Sequence, residues 1–246
     1  MHRFQKRTKS EMMALPKWKR PLDLILLLAL SPVVVLLVCL LSALIRLVSR
    51  GPVFFVQDRV GFRGQRFRLY KFRTMHLNAD SNIHANYFAS LMDGNSPMQK
   101  LDANGDKRLI PFGRFMRASG LDELPQLINV LRGEMSIVGP RPCTTYEYER
   151  YQPRHKLRFR TLPGLTGLWQ VSGKNRTTFE EMIDLDIRYA DMATLWLDLK
   201  IVLKTPLTLL GQISEQMPNP IGRVRRPATN ANQGAKVQER YYGKNN

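Results

Sequence analysis

An apolar run constrains this chain more than any other feature: from Leu24 to Ile45 it reads LILLLALSPVVVLLVCLLSALI, without a charged residue. A run of about 20 apolar residues is long enough to cross the hydrocarbon core of a bilayer as one helix. A secretory signal peptide is disfavoured, because its apolar core would be shorter and a cleavage site of small residues would follow it. The run therefore predicts a membrane helix near the N-terminus.

Two features argue against a simple crossing by this helix. Pro32 removes an intrahelical hydrogen bond, so the helix should kink there, with Ser31 placed to satisfy a freed backbone group. Lys and Arg crowd both flanks, at 3–20 and 46–68, so the charge bias that orients a spanning helix is nearly absent. A re-entrant helix that bends at Ser31 and Pro32 and returns to the cytoplasmic face fits both observations. A plain spanning anchor with a tolerated proline, which would leave the N-terminal tail outside, stays the alternative.

The charge balance narrows the class of partner. The 246 residues include 38 Lys and Arg against 20 Asp and Glu, a formal net charge of +18. Such an excess indicates an anionic partner of one of three kinds: nucleic acid, a lipid surface or phosphorylated substrates. Cys39 and Cys143 show no pairing pattern, which favours a reducing, cytosol-facing location. The sequence has no Walker loop, dinucleotide fingerprint, serine-hydrolase elbow or histidine metal cluster.

The chain divides into four predicted regions, and the predicted fold is mixed α/β and mostly helical. The regions are a basic tail at 1–18, a re-entrant membrane helix hairpin at 19–48, a cytosolic catalytic domain at 49–215 and a disordered basic tail at 216–246. The segment GPVFFVQDRVGFRGQRFRLYKFRTM alternates aromatic and basic residues between glycines, which predicts short strands joined by tight loops. The polar stretch at 76–101 is typical of a surface excursion.

Two later segments predict helices. TTFEEMIDLDIRYA carries the signature of a capping box, Thr178 with Glu181 three residues on, at a helix start. TLWLDLKIVLKTPLTLL has an amphipathic pattern suited to lying in a membrane interface or to packing on the core. The predicted architecture is therefore a membrane helix joined to a small catalytic domain with amphipathic interface helices.

A further helix is predicted over 124–132, ended by Gly133. Its apolar residues recur at helical spacing and should form one buried face; they are Leu124, Leu127, Ile128 and Leu131. On this interpretation Asp122 or Ser119 is the N-cap, because Asp and Ser are both favoured there.

The two adjacent carboxylates before this helix, Asp122 and Glu123, also have a catalytic interpretation. A carboxylate at a helix start can be the nucleophile of a phosphoryl transfer, and its neighbour can hold a divalent metal through oxygen ligands. The structural alternative is strong, since an acid in the first turn is stabilised by the helix dipole. Spacing alone does not choose between the two.

Three cations are candidate phosphate ligands. Arg141 lies between Pro140 and Pro142, so it has little conformational freedom to lose on binding and suits a fork-shaped contact to a phosphate or a nucleotide. Lys71 and Arg73 alternate with a phenylalanine in KFRTM, so in a strand both cations would face one side. The structural alternatives are a surface-loop arginine and an ordinary amphipathic edge strand.

Together these motifs resemble the bacterial sugar transferase family, the monotopic polyprenyl-phosphate phosphoglycosyl transferases, in its short form without four preceding membrane spans. The resemblance rests on KRPLD, the Ser31-Pro32 anchor, GPVFFVQDRVG, KFRTM, LDELPQLINVLRGEMSIVGPRP, PGLTGLWQVSGKN and WLDLKIVLKT, in that order. It implies transfer of a sugar phosphate from a nucleotide diphosphate sugar, usually a UDP-sugar, to a polyprenyl phosphate such as undecaprenyl phosphate. Such enzymes start the assembly of exopolysaccharide, capsule, O-antigen or glycoprotein glycans.

The resemblance also implies roles for individual residues. Asp122 would attack the phosphorus that bears the sugar and form a covalent intermediate with release of UMP, while Glu123 would help to hold Mg²⁺. The substrate-binding residues would be Lys71, Arg73, Pro140, Arg141 and Pro142. Ser31 and Pro32 would form the kink of a re-entrant helix in the bacterial inner membrane, with the catalytic domain on the cytoplasmic face.

A rival of a different class is a membrane-anchored basic adaptor that binds anionic lipid or nucleic acid without catalysis, with Asp122 as a helix cap. The nucleic-acid version is disfavoured because no groove-reading motif accompanies the basic residues. The sequence does not name the transferred sugar or the glycan pathway, and it leaves a homodimer open.

Overall fold

The computed structural model describes residues 15–77, 88, 89, 91, 92, 98, 106 and 108–216, apart from the side chains of 175, 215 and 216. The basic tail up to residue 14, most of the polar excursion at 76–101 and the predicted disordered tail after Gln216 lie outside this description. Within it, the fold is mixed α/β and mostly helical, as predicted.

The apolar run forms helix α1, Lys19–Val48, which continues through Pro32 as one helix. Ser31 Oγ donates a hydrogen bond of 2.8 Å to the carbonyl of Leu28. That carbonyl lies four residues before Pro32 and has no proline N–H to bond it. The prediction that Ser31 satisfies a freed backbone group is therefore confirmed. Among the described helices, α1 is the one long and apolar enough to cross a membrane.

Two small sheets form the centre of the domain. Strands β1, Phe54–Val60, and β2, Arg66–Phe72, confirm the predicted short strands and pair as an antiparallel hairpin, and β4, Cys143–Thr144, adds to the free edge of β1. A separate parallel pair joins β3, Ser136–Val138, to β5, Gly164–Thr166. The segment between β3 and β4 is the proline-flanked loop, so it is held between the two sheets.

Short helices surround these sheets. The remaining α-helices are α2 Gly113–Ser119, α3 Leu127–Leu131, α4 Thr145–Arg150, α5 Leu168–Val171, α6 Phe179–Met192 and α7 Leu195–Gln216. The predicted capping box of Thr178 and Glu181 opens α6, and a second one, which was not predicted, opens α4. Helix α7 packs through Ile201 and leaves Leu203 and Leu207 exposed, so its predicted amphipathic character is confirmed.

The predicted N-cap of the 124–132 helix is wrong. A 3₁₀ turn, Leu121–Gln126, precedes α3, and its N-cap is Gly120 at φ 73°. Ser119 instead donates its hydroxyl to the Phe115 carbonyl inside α2. Because α2 and the 3₁₀ turn meet at a single left-handed glycine, no Asp or Ser occupies the capping position. Asp122 therefore sits inside the turn rather than at its start.

The predicted buried face of this helix is also wrong in part. Ile128 is 42% exposed and Leu131 is 56% exposed. The buried face carries Asn129, whose side chain accepts from the Tyr70 amide and donates to the Arg68 carbonyl on β2. A 3₁₀ turn has about 3.0 residues per turn, so entry through it rotates the later residues away from the phase of a regular α-helix.

Helix α1 packs against the domain near both of its ends. Near its start, Leu27 lies in a buried cluster with Leu69, Val130 and Met135. Near its end, Ile45 lies in a second buried cluster, whose other members are Phe72, Ile110 and Met116. Eighteen residues of helix separate Leu27 from Ile45, or about 27 Å. Between them Val38 and Leu41 pack against the second cluster, and most of the other apolar side chains are exposed.

Candidate active site

A narrow cleft that opens to solvent, here called the pocket, lies where the two sheets meet the 3₁₀ turn. Its walls come from separate parts of the chain: Arg59, Leu69, Lys71, Glu123, Gln126, Arg141, Pro142, Gly164, Leu165 and Gln170. Three of these ten residues are cationic and one is anionic. Because the cations outnumber the single carboxylate, the pocket is suited to an anionic ligand.

Glu123 is the acidic centre of this pocket. Its Oε1 accepts a hydrogen bond of 2.8 Å from Lys71 Nζ and lies 3.9 Å from Arg141 Nη1. Burial alone would raise the pKa of Glu123, but the positive charges of Lys71, Arg141 and Lys174 outweigh it and hold that pKa well below its usual value. Glu123 is therefore a carboxylate at any physiological pH.

The negative charges of both carboxylates of the Asp-Glu pair act on the pKa of Lys71. Burial lowers its pKa below that of a free lysine, and the negative charges of Glu123 and Asp122 partly restore it. Asp122 is 6% exposed, lies one residue before the pocket wall and contributes its charge to the site. The 3₁₀ turn thus places Glu123, 24% exposed, in the pocket wall and the more buried Asp122 within electrostatic reach of Lys71.

The proline-flanked loop is held by each of its carbonyl groups. The Gly164 amide donates to the Pro140 carbonyl at 2.8 Å, Arg158 donates to that of Arg141 at 2.9 Å, and Arg59 donates to that of Pro142 at 3.2 Å. With its backbone fixed at three points, the loop presents the Arg141 side chain, 36% exposed, to the pocket.

Two glycines allow this loop to lie so close to β5. A Cβ on Gly139 would lie 2.2 Å from the Leu162 carbonyl oxygen, and one on Gly164 would lie 2.0 Å from the Gly139 nitrogen. Both distances are far inside van der Waals contact, so any side chain at either position would push the loop away from the strand. The glycines of VGPRP and PGLTG therefore serve to set the position of Arg141.

The structure brings most of the predicted site residues together. Lys71, Glu123, Arg141 and Pro142 line the pocket, with Asp122 beside it, whereas Pro140 lies behind the wall. Arg73 is elsewhere: it is 5% exposed and its guanidinium donates to Ser49 and to the Pro52 carbonyl. Strand β2 ends at Phe72, so the strand alternation assumed for Lys71 and Arg73 does not extend to Arg73.

Four further residues contribute to the site and were not predicted. Arg59, Gln126 and Gln170 line the pocket, and the charge of Lys174 acts on Glu123. Gln170 and Lys174 belong to the motif PGLTGLWQVSGKN, which supported the resemblance without roles for its residues. Arg59 lies opposite Thr144 in the sheet, a pairing that no local signal in the sequence indicates.

The pocket contains one carboxylate, that of Glu123, which is the kind of oxygen ligand that a hard divalent cation such as Mg²⁺ takes. The described residues contain no group of three or more His, Cys, Asp or Glu side chains that would form a cage. Mg²⁺ is commonly bound by one or two carboxylates together with waters and substrate phosphates. Among the described residues, hydrogen bonds reach Glu123 through Oε1, and its second oxygen is the group that would face a metal.

Comparison with known proteins assigns the chain to a family. A family model described as bacterial sugar transferase matches residues 15–212. The chain belongs to the bacterial sugar transferase family. This membership confirms the predicted family and the predicted enzyme class, a transferase.

Curated members of the bacterial sugar transferase family share substantial identity with the chain. It is 45% identical over 163 residues to the galactosyl transferase CpsE of Streptococcus agalactiae, and the matched region is 65% of this chain and 35% of that protein. It is 40% identical over 200 residues to the UDP-glucose:undecaprenyl-phosphate glucose-1-phosphate transferase of Caulobacter vibrioides, which covers 78% and 69%. It is 38% identical over 191 residues to the exopolysaccharide production protein ExoY of Sinorhizobium fredii, which covers 76% and 83%. The chain thus spans about a third of CpsE and most of the other two.

Proposed function

We propose that this protein transfers a sugar-1-phosphate from a UDP-sugar to a polyprenyl phosphate such as undecaprenyl phosphate, through a covalent intermediate on Asp122, with release of UMP. The product would be a polyprenyl diphosphate sugar. The reaction would be the first membrane step in the assembly of an exopolysaccharide, capsule, O-antigen or glycoprotein glycan. It would take place at the cytoplasmic face of the bacterial inner membrane, where nucleotide sugars are available.

One observation carries this proposal. Arg59, Lys71 and Arg141 converge on a pocket that holds Glu123 directly beside Asp122. A carboxylate nucleophile and a diphosphate repel each other, so a site that joins them needs fixed positive charge around the reacting phosphorus. The pocket offers that charge on a fixed loop and strand, and the names of the relatives connect such a chain to sugar-phosphate transfer.

In the first step, a carboxylate oxygen of Asp122 attacks the phosphorus that bears the sugar. A bond forms between that oxygen and the phosphorus, the bond from the phosphorus to the bridging oxygen breaks, and UMP leaves with the electron pair. Lys71 and Arg141 would bind the phosphate oxygens. As that bond breaks, negative charge develops on the leaving UMP, and the two cations would stabilise it. Arg73, bonded to Ser49 and Pro52, has no place in this step.

In the second step, a phosphate oxygen of the polyprenyl phosphate attacks the same phosphorus. The acyl phosphate bond breaks, Asp122 returns as a carboxylate and the diphosphate product forms, so no proton has to be taken up or lost. Covalent catalysis of this kind lets the soluble donor product leave before the lipid acceptor is engaged. Glu123 would hold Mg²⁺, which when bound supplies further positive charge to offset the repulsion between the phosphates.

We infer that α1 is re-entrant rather than spanning. Its contacts at Leu27 and Ile45 are about 27 Å apart along the helix, nearly the thickness of a hydrocarbon core, yet both are made with one domain. A helix that crossed the bilayer would carry one of these contacts to the opposite side. The exposed apolar side chains between them would instead lie in one leaflet.

The topology is tested by labelling single cysteines at both ends of α1. In a Cys39→Ala background, with Cys143 buried, we expect Lys17→Cys and Arg50→Cys to react with a membrane-impermeant maleimide in inverted vesicles. Neither should react in intact spheroplasts. Reaction of the two cysteines from opposite sides would establish a spanning helix.

The activity is tested by measuring UMP release from a panel of UDP-sugars, with purified protein, undecaprenyl phosphate and Mg²⁺ in detergent. We expect one or a few donors to release UMP, and Asp122→Asn to abolish release without lowering the unfolding temperature. Asp191→Asn, an exposed aspartate on α6, is the matched control and should keep wild-type activity. Wild-type turnover by Asp122→Asn would exclude the proposed nucleophile, and absence of turnover with every donor would favour the non-catalytic adaptor.

A further inference from the structure

Gln170 holds an unused hydrogen-bond acceptor in the wall of the pocket. The side chain is 8% exposed and lines the pocket beside Leu165. Its Nε2 donates a hydrogen bond of 2.9 Å to the Leu165 carbonyl. Its Oε1 is buried and has no hydrogen-bond partner within the described part of the chain. Buried polar atoms without a partner are rare in folded proteins, so this oxygen requires an explanation.

The hydrogen bond to Leu165 fixes which end of the amide is which. Rotating the amide by half a turn would place Oε1 against the Leu165 carbonyl oxygen, and two acceptors in contact repel each other. The nitrogen end therefore fastens the side chain to β5, and the oxygen end is the one left without a hydrogen bond. Oε1 lies close to Gly167, where a Cβ would approach it to 3.3 Å.

An acceptor without a partner is chemically different from the three cations of the pocket. Arg59, Lys71 and Arg141 are donors, and donors match the oxygens of a diphosphate. Gln170 Oε1 would repel those oxygens, so it is suited to a part of the ligand that carries N–H or O–H groups. In a sugar nucleotide these parts are the imide of the base and the hydroxyls of the sugars.

We propose that Gln170 is a specificity-determining residue, whose Oε1 accepts a hydrogen bond from an N–H or O–H group of the sugar nucleotide. The proposal rests on the function proposed above and adds to it the group that distinguishes one donor substrate from another. A site built around a substrate hydrogen bond rejects analogues that lack the donor, because its own polar atom is then left unpaired.

The test pairs one variant with three substrate analogues. Wild type and Gln170→Met are compared for release of the nucleoside monophosphate: UMP from the preferred UDP-sugar and from its deoxy-sugar analogue, CMP from the CDP-sugar, whose pyrimidine N3 carries no hydrogen, and dUMP from the 2′-deoxyuridine analogue. For wild type, we expect kcat/KM to fall roughly tenfold to a hundredfold with the one analogue that lacks the bonded group. We expect Gln170→Met to show a similar loss with the preferred donor and no further loss with that analogue. The analogue that behaves so identifies whether base or sugar is bonded.

A stability measurement separates recognition from folding. Urea unfolding in detergent should show that Gln170→Met remains folded under the assay conditions, so that its loss of kcat/KM reports recognition of the substrate. An equal loss with all donors in Gln170→Met, or no loss at all, would overturn the proposal and leave Oε1 bound to water or to nothing. Absence of UMP release by wild type with every UDP-sugar would instead overturn the proposed function, so the two failures are distinguishable.

Discussion

Two lysines of this protein make ion pairs of the same length in different surroundings, one buried and one partly open to solvent. Lys19 contacts Asp198 at 2.8 Å and Lys71 contacts Glu123 at 2.8 Å. The first pair is 1% exposed on both sides, and Lys19 Nζ also donates to the Val138 carbonyl and the Tyr189 hydroxyl. The second pair is 16% and 24% exposed, and among the described residues Lys71 Nζ donates one hydrogen bond.

The difference lies in how many of the ammonium hydrogens are used. A lysine has three, and Lys19 spends all of them on the protein, which fastens the start of α1 to β3 and α7. Among the described residues Lys71 makes one such hydrogen bond, and Arg59 and Arg141 add to the positive charge around it. The first pair is saturated and joins parts of the fold, whereas the second is unsaturated, and the proposed function assigns its remaining donors to a ligand.

The largest expected effect comes from breaking the saturated pair. Lys19→Met would leave Asp198 buried without its cation, which should cost about 3–5 kcal/mol of the free energy of unfolding. Urea unfolding in detergent measures this loss. The double variant Lys19→Met with Asp198→Leu should recover most of it, because the buried charge is then gone. An unchanged unfolding midpoint in the single variant would show that the pair contributes nothing to the fold.

Breaking the unsaturated pair should change activity more than stability. Lys71→Met removes a donor aimed at the phosphates, and we expect kcat/KM to fall roughly 10²- to 10³-fold. Its effect on urea unfolding should be smaller than that of Lys19→Met, because Glu123 keeps Arg141 nearby and is partly open to solvent. Lys71→Arg is the matched control and should retain much of the activity. A large loss of stability together with wild-type turnover in Lys71→Met would contradict this prediction.

Arg73→Met tests whether Arg73 stabilises the fold or binds the substrate. Arg73→Met removes three hydrogen bonds that a buried guanidinium makes to Ser49 and Pro52, which should cost about 1–3 kcal/mol of stability. UMP release per folded molecule should stay close to wild type, in contrast to Lys71→Met. A rise in the KM for the UDP-sugar with unchanged stability would return Arg73 to the phosphate-binding role inferred from the sequence.

The smallest expected effect is in the pH dependence. Burial lowers the pKa of Lys71, so the ammonium should lose its proton below the pH at which a free lysine does. We expect an alkaline limb in kcat/KM with an apparent pKa below about 10.4, and Lys71→Arg should move that limb to higher pH. On the acid side the pKa of Glu123 is lowered, so its contribution to stability is present above about pH 4.3 and is lost as the pH falls further.

Local signals in the sequence predicted the elements of this fold well. The long apolar helix with its Ser31 bond, the short strands after it and the capping box of Thr178 all follow from short-range chemistry and are present. The errors came where elements meet. The chain enters α3 through Gly120 and a 3₁₀ turn, so neither Ser119 nor Asp122 caps it, and the phase of its buried face changes.

The site was predictable where one motif holds adjacent residues, and not where packing joins distant ones. Asp122, Glu123 and Arg141 stand out by their neighbours in the sequence. Arg59 and Gln170 reach the same pocket through strand pairing and through a hydrogen bond to Leu165, which no spacing along the chain reports. Roles that depend on a ligand, such as that of Asp122, stay predictions.

The central claim is that Asp122 carries the sugar phosphate between donor and acceptor. The most direct measurement is rapid-quench release of UMP from the preferred UDP-sugar with Mg²⁺ and without any polyprenyl phosphate. The account predicts a burst of about one UMP per active site, a matching mass increase on the peptide that contains Asp122, and no burst from Asp122→Asn. Turnover that starts only when polyprenyl phosphate is present, with no burst and no modified peptide, would contradict it and indicate direct transfer.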